Sequence, residues 1–162
     1  MAGLPLPDDA ANPALAAQYA AARAREGKVM AILRSLGPRA DLVEAFVSLV
    51  EATFGAEGAL TVRERELLAV AASEANGADY STAVHSELLA REGGARDTPR
   101  DAAMIAFARR LTLIPREGAE ATAALRELLS DDEVYDAIAV VGLLNLANRA
   151  ALATGITVGD DL

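Results

Sequence analysis

The chain contains no cysteine and no tryptophan. The first absence excludes disulfides, zinc–thiolate sites and thiol catalysis. Aromatic residues make up only 4%, so the 52% of hydrophobic residues is mostly Ala, Leu, Val and Ile. Ala and Leu are strong helix formers, and an all-α domain is expected from this bias alone. Lys28 is the only lysine, and 24 acids face 15 bases for a net charge of −9. With no basic run, a nucleic-acid partner is excluded and acidic membrane surfaces are disfavoured. The longest apolar run, Ala137 to Leu144, is too short to span a bilayer. Residues 1–12 carry Pro5, Pro7, Asp8 and Asp9 and have no signal-peptide character, so a cytoplasmic location is expected.

No repeat, low-complexity tract or linker divides the 162 residues. They read as a single domain, 1–162, with 1–11 as an N-terminal arm. Mean hydropathy is +0.21 despite the charge. Apolar surface on that scale must be hidden, which points to a homo-oligomer: a dimer, trimer or hexamer. No metal and no cofactor is expected.

Helix signals follow one another along the chain. Asn12-Pro13 caps a helix to about Arg25, ended by Gly27. A short helix runs from Val29 to Leu36 and stops at Gly37-Pro38. From about Arg39 to Phe54, residues Leu42, Phe46, Leu49 and Val50 recur at helical spacing. Thr61-Val62-Arg63-Glu64 is a capping box opening a helix to about Ala75, and Asn76-Gly77 breaks it. The next helix starts near Ala78 and ends at Gly93-Gly94. Thr98-Pro99 caps another, with a Met104, Phe107, Ala108 and Leu111 stripe, stopped by Pro115. One more covers about Glu117 to Leu129. Ser130-Asp131-Asp132-Glu133 is a second capping box, with an acidic first turn suited to the helix dipole. The last helix, to about Thr154, carries Ile138, Val140, Val141, Leu143, Leu144 and Leu146. A helix apolar almost all round belongs in a core or an interface.

His85 is the only histidine. It stands at i+4 from Ser81, on the same helix face, and Ala78 stands three residues before Ser81. The layout is that of Cys-x-x-Cys-x-x-x-His with both sulfur positions filled by other residues. A thiol at position 78 would sit at the positive end of the helix dipole, which favours thiolate. Across the Asn76-Gly77 turn, antiparallel pairing would bring Glu66 to His85 and fix the tautomer of its ring.

These residues carry a resemblance. The chain resembles the alkylhydroperoxidase D-like proteins of the carboxymuconolactone decarboxylase superfamily, in particular their peroxidase-related members. In that family an acid precedes Cys-x-x-Cys, and a histidine follows it. Here Glu66 precedes Ala78 at the family's spacing, Asn76-Gly77 leads into the motif, and Tyr80 stands between the sulfur positions. Leu60-Thr61-x-Arg63-Glu64-x-Glu66-Leu67, Ala106 to Thr112, Ser130 to Glu133 and Asn145-x-x-Asn148-Arg149 extend the likeness over nearly the whole chain. The resemblance implies an alkylhydroperoxidase D-like helical bundle of about seven to eight helices. It also implies hydroperoxide reduction by a cysteine at position 81, with one at position 78 resolving it as a disulfide. Glu66, Tyr80 and His85 would relay protons, and a dithiol reductant protein would regenerate the pair. Ala78 and Ser81 depart from the pattern at both redox positions, so this chain is not expected to be a thiol peroxidase.

Plainer readings exist for each residue. His85 can be a satisfied core histidine, Glu66 a solvated acid or a partner of Arg63, and Tyr80 a packed ring. Ser81 can simply serve the first turn of its helix. Asn145 and Asn148 read as polar contacts of a buried helix, and Arg149 as the partner of a neighbouring carboxylate. Three functions remain: a peroxidase-related protein without its thiols, a thiol-independent acid–base enzyme of decarboxylase or lactone type, and a non-catalytic oligomeric binding protein.

Overall fold

The computed structural model describes residues 4–8, 13–55 and 58–162. These form eight α-helices: α1 (Ala16–Glu26), α2 (Ala31–Arg34), α3 (Ala40–Phe54), α4 (Val62–Asn76), α5 (Asp79–Arg91), α6 (Pro99–Leu113), α7 (Gly118–Leu125) and α8 (Asp131–Thr154). Among the described residues there is no strand. The expected Asn12 cap and most of the 1–11 arm lie outside the described residues.

Helices α4, α6 and α8 form the centre, with α5 packed on α4 and α3 against α8. Leu68, Met104, Val140 and Val141 meet there fully buried. By length and composition α8 would suffice to cross a bilayer. Its contacts with α3, α4, α5 and α6 make it the core helix of the bundle. Both expected capping boxes form: Thr61 and Ser130 each accept from the backbone N–H of Glu64 and Glu133.

Four expectations change. The helix expected over Val29–Leu36 shrinks to Ala31–Arg34, because the Val29 backbone pairs with Leu162 in both directions (2.7 and 2.9 Å). The helix expected to reach Leu129 ends at Leu125, where the chain tightens into turns closed by Leu128 and Leu129 on the Leu125 carbonyl. In α3 the buried side chains are Val43 and Phe46, whereas Leu42 and Leu49 are 45% and 44% exposed. Arg149 donates to Asn145 on its own helix, and no neighbouring carboxylate pairs with it among the described residues.

The α4–α5 turn is fixed by its backbone. Gly77 sits at φ 67°, and its N–H donates to the Glu74 carbonyl while that of Ala78 reaches the Ser73 carbonyl. This is a Schellman closure, and the left-handed residue in it favours glycine. Ala78 then serves at once as the N-cap of α5, so the two helices fold back with no intervening loop. Amides of α8 hold the turn. Asn145 accepts from Asn76 (3.0 Å) and donates to Thr112 (3.1 Å), and Asn148 donates to Ser73 (3.3 Å).

Candidate functional site

Glu66 lies in the second turn of α4, and His85 lies midway along α5. The antiparallel hairpin brings them together: His85 Nδ1 is 2.7 Å from Glu66 Oε2. Their side chains are 18% and 6% exposed. The carboxylate accepts the Nδ1 hydrogen, which leaves Nε2 as the second ring nitrogen. Glu66 is thus neither a solvated acid nor a partner of Arg63, whose guanidinium goes to Asp101. Phe54, the last residue of α3, stacks on the imidazole at 5.6 Å between centroids and 24° between planes.

The pair lines a cavity of about 220 Å³. Its walls come from Phe46, Val50, Val84, Leu88 and Leu143, and Ser81 faces it from the turn before His85. Arg25 and Glu26, at the end of α1, also line it. They bond to each other at 2.8 Å, and Arg25 also holds Glu51 at 2.8 Å. The lining is therefore mostly apolar, and its polar groups are the buried acid–imidazole pair, Ser81, Tyr80 and the bonded Arg25 and Glu26.

The other expected site residues lie differently. Ala78 is buried and lines a separate depression formed with Gly155 and Ile156, while Ser81 borders the His85 cavity. Tyr80 also lines the His85 cavity, and its hydroxyl donates to Asp161 Oδ1 at 3.1 Å. Burial, and then the charge of Asp161, push this phenol far above its ordinary value, so it holds its proton. Asp161 also accepts from the Ala31 N–H (2.7 Å) and pairs with Lys28 (2.6 Å), which straps the C-terminal residues across α2 and α5. Among the described residues no cluster of His, Cys, Asp and Glu suits a metal ion.

Sequence reasoning missed Phe54 and Asp161. Phe54 carries no local signal, because its meeting with His85 depends on how α3 packs. Asp161 lies in a short polar tail with no periodicity to read.

Comparison with known proteins fits this geometry. The model of the carboxymuconolactone decarboxylase family matches residues 40–112, which include Glu66, Ala78, Tyr80, Ser81 and His85. Over that stretch the chain is similar to the carboxymuconolactone decarboxylase family. A solved alkylhydroperoxidase D core, an uncharacterised peroxidase-related protein from Ralstonia eutropha, superposes with TM-score 0.80 at 27% identity. That match covers 96% of this chain and 91% of the other. A peroxidase-related protein from a Silicibacter species superposes with TM-score 0.76 at 23% identity, covering 94% and 86%. The fold is shared further by the debrominase Bmp8, solved as a cysteine-to-alanine variant with 2,3,4-tribromopyrrole. Its TM-score is 0.77 at 18% identity, covering 96% and 93%. No curated protein matches the sequence.

Proposed function

We propose that this chain is a peroxidase-related member of the carboxymuconolactone decarboxylase superfamily that keeps the proton-handling half of a hydroperoxide site. The electron-carrying positions of that site are held by Ala78 and Ser81. The observation that carries the reading is the 2.7 Å bond between His85 and Glu66 on the wall of an apolar cavity that Ser81 also borders. Position 78 is the N-cap of α5, where a thiolate would be favoured by the helix dipole. The bonding of Tyr80 to Asp161 leaves Glu66 and His85 as the groups that move protons, with Tyr80 positioning the turn.

The test restores the thiols. In Ala78→Cys/Ser81→Cys, the thiol at position 81 gives its proton to His85 Nε2 and attacks the outer peroxide oxygen as a thiolate. The O–O bond breaks, and the alcohol leaves with that proton returned by His85. The sulfenic acid then condenses with the thiol at position 78, releasing water and forming a disulfide that an added dithiol reduces. Dithiol-dependent reduction of an organic hydroperoxide is expected in this variant and absent from the starting protein. A folded double variant with no such activity defeats the reading. A thiol-independent acid–base reaction is the second reading, favoured by the same bond, since it needs only the pair that is already in place.

The protein also belongs, on this reading, in the cytoplasm as a homo-oligomer. Tyr135, Ile138, Leu146 and Leu152 form an exposed apolar face on α8, with Tyr135 72% exposed. Leu146→Glu is expected to lower the sedimentation mass and to change unfolding of the separated chain by no more than about 0.5 kcal/mol. An unchanged mass removes α8 as the contact.

A further inference from the structure

We propose that the His85 cavity takes a neutral one-ring aromatic bearing a single acidic O–H, a phenol in the simplest case, which donates that hydrogen to His85 Nε2. This rests on the reading of Glu66 and His85 as the working pair of the site.

Three features define the ligand. The first is the hydrogen-bonding sense. Glu66 accepts from Nδ1 at 2.7 Å, so the neutral ring presents a lone pair, not a hydrogen, at Nε2. Among the described residues no group bonds to Nε2. A ligand must therefore bring a donor, and an ether or a ketone of the same shape has none to offer.

The second is size and surface. A dry apolar cavity of about 150 Å³ holds benzene. The cavity here, about 220 Å³, has room for one ring and a small substituent. Phe46 and Phe54 provide flat walls, and Val50, Leu88 and Leu143 complete an apolar surround. Aromatic rings pack against one another with favourable edge and offset contacts.

The third is charge. The buried Glu66 repels an anion. Arg25, the cation that lines the cavity, is already held by Glu26 and Glu51. A carboxylate or a phosphate ester would lose its water and find no free positive charge in return. The cavity therefore selects a neutral donor against a charged one.

Isothermal titration of the purified chain with 4-methylphenol, 4-methylanisole and 4-methylbenzoate tests the proposal. The phenol is expected to bind about tenfold more tightly than the ether, as one well-placed hydrogen bond would give, and the benzoate not to bind. In His85→Phe, which keeps a ring against Phe54, the phenol-to-ether ratio is expected to fall to about one. A measurement on the unsubstituted protein guards against misfolding of that variant. Because His85 is the only histidine, labelling with 15N-histidine gives one pair of ring signals. The phenol should move Nε2, and the ether should move neither nitrogen. Equal affinities, no phenol binding, or a phenol shift confined to Nδ1 overturns the proposal. Hydroperoxide reduction by the double-cysteine variant together with indifference between phenol and ether would sink the ligand class and leave the pair's role standing. The opposite outcome would do the reverse.

Discussion

Glu64 and Glu66 lie on the same helix, two residues apart, and both are buried, yet they belong to two different regions. Glu64 sits in the charged end where the N-termini of α4, α6 and α8 converge. It accepts from the Thr61 N–H (3.0 Å), the Thr61 hydroxyl (2.8 Å) and Arg100 (2.7 Å). Arg100 reaches on to Glu133 at 2.6 Å, joining the two capping boxes. Beside them Arg63 grips Asp101 through two bonds of 2.8 Å. Glu66 sits about half a turn further along α4 and holds only His85 among the described residues. Burial is alike in the two, so it does not decide their roles. The partners do: arginine keeps its charge at every accessible pH, whereas imidazole can gain or lose a proton. One carboxylate holds helices together through cations that stay charged, and the other faces a ring that can titrate.

The sharpest way to break this division is at the charged end. Asp101→Ala leaves Arg63 buried without its partner, and a loss of about 3–5 kcal/mol in urea unfolding is expected. The ring signals of His85 should not move, because the cavity does not share these residues. The same region governs stability in acid. The bond from Arg63 holds the Asp101 carboxyl below its ordinary 3.8, and that from Arg100 holds Glu133 below 4.5. Burial alone would raise Glu64, but Arg100 and Thr61 outweigh it and bring it below 4.5 as well. Groups lowered on folding stabilise the protein above their unfolded values, and that contribution disappears as pH falls through the folded ones. Stability should therefore drop from about pH 4 downward, and less steeply in Asp101→Ala. A steep, unaltered acid limb in the variant would place the titrating groups elsewhere.

A smaller effect separates the two glutamates directly. Glu64→Gln is expected to cost roughly 2 kcal/mol, the scale of a bond to a charged partner, and to leave the His85 tautomer alone. Glu66→Gln is expected to cost about 1 kcal/mol, and its amide, which both donates and accepts, should mix the two ring tautomers. Equal losses with unmoved ring signals in both variants would erase the distinction between the two regions.

Much of this was legible in the residues, for reasons that can be named. The Thr61 and Ser130 boxes, Thr98-Pro99 and Asn76-Gly77 are local signals, and the helices start and stop on them. The meeting of Glu66 and His85 was also accessible, because a tight turn between two helices fixes their register. What failed depended on distant packing. Leu42 and Leu49 have the spacing of a core stripe, but the face of α3 that turns inward is set by α8 and α1, and Val43 takes the interior. Glu66 carried the plainer reading of a solvated acid, yet it is buried together with Arg63, Glu64 and Arg65. A signal for part of this was present. Arg100 in the first turn of α6 opposes the helix dipole, and such an arginine needs acidic partners. Two capping-box glutamates were available to supply them. Tyr80 was expected in the site by resemblance and does line the His85 cavity; the bond of its hydroxyl to Asp161 was invisible to any periodicity.

The one-residue turn at Gly77 also sets an order in time. Glu66 and His85 are 19 residues apart along the chain, whereas Asp161 and Ala31 are 130 apart. The entropy of closing a loop grows with the logarithm of its length, so the longer closure costs roughly 1.7 kcal/mol more. During synthesis both members of the pair leave the ribosome before α6 does, and their hairpin can close before α6, α7 and α8 are available to pack on it. The strap that holds Tyr80 must wait for the last residues of the chain. The Glu66–His85 pair is thus among the earlier long-range contacts the protein can make, and the setting of the neighbouring tyrosine among the last.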